Sequence, residues 1–346
     1  MRYQTDSSWW RRGNTEGDTV VAGSPLNVFR FSSAARSLLE AIENKAEVSS
    51  SSASTIQRLL DAGAVHPILD SMTRELQPND VTVVIPVHNG SIEQLSMLVT
   101  KVSSAYKVLI IDDGSSPALP EIAGAQVIRR DAAGGPAVAR NTAIEHITTT
   151  ITFFLDADTS LADDSWINLL AHFSDSSTGV VAPRIASEDG STLLHRYEAS
   201  ESPLDLGSEP ALIRKNSRVS YVPTAALMIR TDLLREHQGF NESFRYGEDV
   251  DLVWRLLESD VVCRYEPSVV VSHSPRSSLL DAWKQRVSYG SAAAPLNQKH
   301  RGAATPLRIN RWSASAWTAL AAGHPLIGVT IGAGSTVALE RKISSQ

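Results

Sequence analysis

Cysteine is almost missing. The 346-residue chain has one, Cys263, which excludes an intrachain disulfide and a cysteine-rich metal site and fits a reducing compartment. Positive charge is not in excess either. A formal net charge of −6 argues against a general polyanion-binding surface, so no nucleic-acid partner is expected. The opening stretch MRYQTDSSWWRRGNTEGD has no apolar core of signal-peptide length. The expectation is an unexported chain in the cytoplasm.

Clean membrane-length runs are scarce. The segment 312–339, WSASAWTALAAGHPLIGVTIGAGSTVAL, has no Lys, Arg, Asp or Glu and is long enough to span a bilayer. Gly323, Pro325, Gly328, Gly332 and Gly334 make it a poor helix, and its Ser and Thr lower its hydropathy. It reads as a tail in peripheral contact with the inner face of a membrane. The plainer alternative is a packed helix pair breaking at GHP.

What is present is ordinary globular composition, 42% hydrophobic and 20% charged, in a length that allows two domains. Residues 1–77 read as a small module: two short strands around a Gly-Ser-Pro turn in TVVAGSPLNVFRF, then two amphipathic helices. LQPND (76–80) is a linker. From residue 80 to about 290 apolar strands alternate with helices: VTVVIPV, KVLIIDD, AQVIRR, ITFFLDAD and GVVAPRI. That alternation predicts an α/β fold with a mostly parallel sheet and helices on both faces. Residues 291–346 form the tail.

In such sheets ligands bind beyond the carboxyl ends of the strands. Two strands end there in acids: Asp112 and Asp113, then Asp156 and Asp158. Neighbouring carboxylates repel, and a hard cation such as Mg²⁺ or Mn²⁺, completed by substrate phosphates, relieves the cost. An isolated D-x-D is common, and its plain reading is a helix-capping acid. GGPAVARN adds a glycine turn opening a helix with Arg140 close by, which suits phosphate oxygens. GFNESFRYGEDVDLVWRL places Glu248, Asp249 and Asp251 in the first turn of another helix. Dipole stabilisation alone could explain them, but so could a general base. SVVVSHSPR ends an apolar strand in His273, a competent Mn²⁺ ligand.

The order VVIPVHN, IIDDGS, ARNTAI, FLDAD, GFNESFRYGEDVDLVWRL and VVVSHS resembles the family 2 glycosyltransferases, which have the GT-A fold of nucleotide-diphospho-sugar enzymes. The resemblance covers about residues 80–290. It implies that Pro86 and His88 frame the nucleotide base, Asp113 meets the uracil and Arg140 belongs to the donor-binding turn. It also implies that Asp156 lies against ribose and metal, Asp158 and His273 ligate a divalent metal, and Asp249 deprotonates the acceptor hydroxyl. Glu248 and Asp251 are expected to orient that region. The Q-x-x-R-W of processive synthases is missing from WKQRVSYGSAAAPLNQKH, which speaks against a translocating polymerase.

A narrower resemblance, carried by VVAGSPLNVFRFSSAARSLLEAI, RLLDAGAVHP and SYGSAAAPL, is to the glycosyltransferases of the mycofactocin system. It implies glucose transfer from UDP-glucose to a peptide-derived redox cofactor precursor and its growing β-glucan. It further implies a winged-helix-like, peptide-binding N-terminal module, and relatives that extend past residue 346. A cell-envelope glycan or lipid acceptor is the alternative within the family. Outside it stand a haloacid-dehalogenase-type phosphotransferase, suggested by DADTS, and a degenerate transferase serving as a binding module.

Overall fold

The computed structural model describes residues 1–188, 202–274, 287–301, 303 and 311–345, with side chains up to residue 335. It divides into two compact units, Met1–Lys299 and His300–Gln346.

In the first unit the N-terminal module is built from β1 (Tyr3–Thr5), β2 (Trp10–Gly13), β3 (Gly17–Ala22), β4 (Asn27–Ser32), α1 (Arg36–Glu43), α2 (Ala53–Asp61) and β5 (Val65–Pro67). β2, β3 and β4 form an antiparallel sheet, and β1 pairs with β5. The expected hairpin is β3–β4. Val20, Phe29, Leu39, Ile42, Ile56 and Leu59 give the module its own small core.

The module is also docked on the larger part of its unit. Leu69 and Leu76 pack against the core of the main sheet. The Arg214 guanidinium donates to Asp61 O at the end of α2, and the Arg218 N–H donates to Ser24 Oγ at 2.8 Å.

Among the described residues the main sheet has nine strands: β6 (Val81–Val87), β7 (Lys107–Asp113), β8 (Gln126–Arg130), β9 (Ile151–Leu155), β10 (Thr159–Leu161), β11 (Thr178–Ser187), β12 (Ala211–Leu212), β13 (Ala226–Arg230) and β14 (Val262–His273). The order is β10-β14-β11-β13-β9-β6-β7-β8, with β12 also on β14. β6, β7, β8, β9, β11 and β14 run one way, and β10, β12 and β13 run the other. The mostly parallel α/β reading therefore holds. β13, which the sequence did not announce, inserts antiparallel between β9 and β11.

The central strands are buried on both faces. Val83, Ile85 and Phe153 point into a core shared with α3 (Ile92–Lys101) and with the 3₁₀ helix Asp164–Ser174. Val84, Leu109 and Phe154 meet α4 (Pro136–Ile144), α5 (Thr231–Glu236) and α6 (Glu248–Glu258) on the other face. Each large side chain so buried contributes roughly 1.5–3 kcal/mol. A short α7 (Ala293–Lys299) closes the unit.

The second unit contains α8 (Arg311–Ala321) and α9 (Pro325–Ser345). Gly323, at φ +80°, ends α8 in a conformation a side chain rarely adopts, and Pro325 starts α9. The break falls at GHP, as in the helix-pair reading. Among the described residues no helix is long and apolar enough to cross a membrane.

Candidate active site

The common direction of β6, β7, β9 and β14 brings four functional segments to one edge of the sheet. β9 ends at Leu155 and the chain turns at Asp156. The Asp156 N–H donates to Ala225 O at 3.0 Å, and its carbonyl accepts from Thr159 N at 3.1 Å and Thr159 Oγ1 at 2.7 Å. The D-A-D turn is thus fixed from both sides. It leads into β10, where Thr159 lies opposite His273 on β14. The Ser274 N–H reaches Asp158 O at 3.1 Å, and His273 Nε2 lies 3.3 Å from Asp158 Oδ2.

Arg140 joins this edge to the helix that carries the second acid cluster. Its side chain is buried, 3% exposed. Nη2 donates to Asp156 Oδ1 at 2.8 Å and Nη1 to Glu248 Oε1 at 2.9 Å. The guanidinium also stacks 5.5 Å from the centre of the Phe240 ring. Burial acts against its charge, but Asp156 and Glu248 outweigh that and hold its pKa above the usual arginine value. Arg140 bridges protein acids here, where the family resemblance places it at the donor.

α6 begins at Gly247, whose φ of +81° only glycine adopts easily. A Cβ there would also come within 2.9 Å of Leu296 Cδ1. The half-buried Asp249 accepts from the Val250 N–H at 2.8 Å. Burial, with the adjacent Glu248 charge adding to it, pushes its carboxyl up to about 7. A base is most effective when its pKa lies near the working pH. Asp251 is differently engaged. It is fully buried, with Oδ2 on Arg255 Nε at 2.9 Å and Oδ1 on Lys299 Nζ at 2.7 Å. It anchors α6 to α7.

The exits of β6 and β7 carry the remaining residues. Pro86 lies within β6, opposite Ile111. His88 is exposed, with Nδ1 2.8 Å from Asp113 O and Nε2 3.0 Å from Asn89 Nδ2. The Asp113 carboxylate accepts from Arg130, from Gly134 N at 3.0 Å and from Gly135 N at 2.7 Å. Its four lone-pair sites are thereby largely used within the chain, in fixing the glycine turn ahead of α4. Burial opposes ionisation of Asp112, but hydrogen bonds from Ser115, Leu119 and Arg129 hold its carboxyl below the usual range.

The structure brings Asp156, Arg140, Glu248 and Asp249 into one constellation, with Asp158 and His273 as a pair beside it. It does not draw the three expected metal ligands together, because Asp156 turns to Arg140. Among the described residues no group of three or more His, Cys, Asp or Glu forms a ready cation cage. The pair still fits a hard divalent ion. Its carboxylate oxygen and imidazole nitrogen are close enough for one ion to take both, and such ions accept few protein ligands when a diphosphate supplies more. A cavity of about 690 Å³ opens elsewhere, lined among others by Met72, Asn168 and Glu266, and none of these acids lines it.

The Glycosyl transferase family 2 signature matches residues 82–236. Those residues carry a family 2 glycosyltransferase domain. It is 38% identical over 319 residues to the pre-mycofactocin glycosyltransferase of Mycobacterium tuberculosis, a match covering 90% of this chain and 66% of that protein. It thus spans just under two thirds of that relative's length. Glycosyltransferase AglE of Haloferax volcanii is 26% identical over 213 residues, 57% of this chain and 67% of its own length. Among solved structures, the mannosyltransferase PcManGT from Pyrobaculum calidifontis in complex with GDP-Man and Mn²⁺ superimposes with a TM-score of 0.46 at 16% identity, covering 80% of this chain and 87% of that one. The domain match speaks against the haloacid-dehalogenase-type phosphotransferase reading.

Proposed function

We propose that the chain is an inverting, metal-dependent glycosyltransferase that moves a sugar from a UDP-sugar to an acceptor hydroxyl. The observation that carries this reading is the Arg140 bridge, which holds the D-x-D turn through Asp156 and the base-bearing helix through Glu248. Asp158 and His273 would hold the divalent ion, Mn²⁺ or Mg²⁺. When bound, such an ion offsets charge on a departing nucleoside diphosphate. Asp249 accepts the proton of the acceptor hydroxyl at its carboxylate. The acceptor oxygen then bonds to the anomeric carbon from the face opposite the leaving diphosphate, whose C–O bond breaks with its electron pair. The configuration inverts, so an α-linked donor gives a β-linked product. Pro86 and His88 frame the base at the exit of β6. For Asp113 to reach the uracil as well, it must give up part of its hold on Gly134 and Gly135.

The acceptor proposed is a peptide-derived redox cofactor precursor and its growing β-glucan, with UDP-glucose as donor. The likeness to the pre-mycofactocin glycosyltransferase supports a mycofactocin-related acceptor, and the glucose donor and β-glucan follow from the family resemblance. The test is a donor screen for UDP release with and without Mn²⁺, using UDP-glucose against other nucleotide sugars. Release only with an unrelated donor, or equal release in chelator, overturns the corresponding part. Peripheral membrane contact through 312–339 is supported by the exposure of Trp317, Leu326 and Val329. Failure to float with anionic vesicles would dismiss it.

A further inference from the structure

Arg140 has a neighbour whose side chain the chemistry above does not use. Asn141 faces the loop before α6. Its Oδ1 accepts from the Phe240 N–H at 2.8 Å, and its Nδ2 donates to Phe240 O at 2.8 Å and to Glu242 Oε1 at 2.9 Å. One amide therefore satisfies both main-chain groups of a single residue, a pairing that fixes position and orientation together. Phe240 cannot shift alone. Its ring stands edge-on to Phe154 of β9, with centroids 5.3 Å apart at 82°, and its face takes the Arg140 guanidinium. Gly239, at φ +62°, lets the loop come this close, since a Cβ would sit 2.4 Å from Asn141 Oδ1. From Phe240 the chain runs seven residues to Gly247 and the start of α6.

We infer that Asn141 is a positioning residue for the base: it sets the height of the 239–247 loop, and so of Asp249, against the D-x-D turn. This rests on the reading of Asp249 as the base. Two consecutive residues of α4 then divide the task. Arg140 grips the acids at both ends, and Asn141 grips the backbone of the loop between them. The contact spans nearly a hundred positions of sequence, so local helix stability does not require it. A displacement of the order of 1 Å at a reacting group costs about 100-fold in rate, and that is the scale expected here.

The experiment compares Asn141→Ala, Asn141→Asp and Asp249→Asn in the full chain. It measures sugar transfer to acceptor and UDP affinity by calorimetry with Mn²⁺. Asn141→Asp keeps the acceptor for the Phe240 N–H, but loses both donations and sets a like charge beside Glu242. Both Asn141 variants are expected to lose about 100-fold in kcat for transfer, with UDP affinity unchanged. A parallel fall in UDP affinity would make the role merely structural and overturn the inference, as would unchanged transfer in both variants while Asp249→Asn is inactive. An active Asp249→Asn would instead sink the reading of the base, whatever the Asn141 variants do.

Discussion

Arg140 Nη2 sits 2.8 Å from Asp156 Oδ1, and the cation in this pair is the more deeply buried partner. The D-x-D acid therefore does not stand free at the sheet edge; its direction is set by a guanidinium that Glu248 holds from the other side. Removing one partner of a buried charge pair leaves the rest uncompensated. Arg140→Ala is expected to cost about 3–5 kcal/mol, read as a lower urea midpoint at unchanged slope. Arg140→Lys keeps the charge but cannot fork, so it should recover part of the stability and little of the transfer activity.

The base predicts two pH effects. Asp249 is pushed up to about 7 by burial and then by Glu248, so kcat/KM should fall on the acid side with an apparent pKa near that value. Glu248→Gln removes a neighbouring negative charge and should move this limb to lower pH. In stability the sign is the reverse of a salt-bridged acid. Between the ordinary carboxylate range and about pH 7 the folded chain keeps a proton that the unfolded chain has lost, so stability falls as pH rises through that window. Asp249→Asn should therefore melt higher than the parent at pH 8 and alongside it near pH 4, while losing transfer by about 10²–10⁴-fold. Equal melting shifts at both pH values would refute the raised pKa.

Asp158 and His273 lie 3.3 Å apart, and the reading that they share a divalent ion is tested by binding rather than turnover. Asp158→Asn and His273→Ala should weaken UDP binding in Mn²⁺ and leave it almost unaltered in EDTA. Loss in both conditions would assign them to folding instead.

Asp251 is held by Arg255 and Lys299, and substitution tests whether it serves the scaffold or the reacting groups. Asp251→Leu should lower stability by about 3 kcal/mol and leave activity per folded molecule near the parent. A variant that is stable but inactive would return Asp251 to the reacting groups.

Removing residues 1–77 takes away Leu69 and Leu76 from the main core and the partners of Arg214 and Arg218. The shortened chain should unfold at lower urea, with its UDP binding intact wherever it remains folded. An unchanged midpoint would show the module to be a passenger on the sheet.

Much of this site was legible in the sequence because it uses short-range grammar. Apolar runs ending in acids marked β7 and β9, and the glycine before three acids marked the start of α6. What stayed hidden depends on contacts between distant positions. ALMIR of β13 carries no mark of its antiparallel place between β9 and β11. The pairing of β1 with β5 joins residues some sixty positions apart. That Arg140 would choose Asp156 and Glu248, or that Asp251 would meet Lys299, emerges only once the helices are packed. Asn141 stood beside a residue singled out for charge, and nothing local distinguishes its amide from any surface asparagine.

The reversed course of β13 has a practical corollary for recombining such enzymes. The chain enters β13 from Ala225, at the same sheet edge where β9 lets go, and the Ala225 carbonyl receives the Asp156 N–H. The D-x-D turn thus takes its elevation from a stretch about seventy positions downstream. A chimera spliced anywhere between 160 and 225 would combine a turn from one parent with a ledge from another. Exchange of sugar preference between relatives should succeed only when the block from β9 through β13 travels whole.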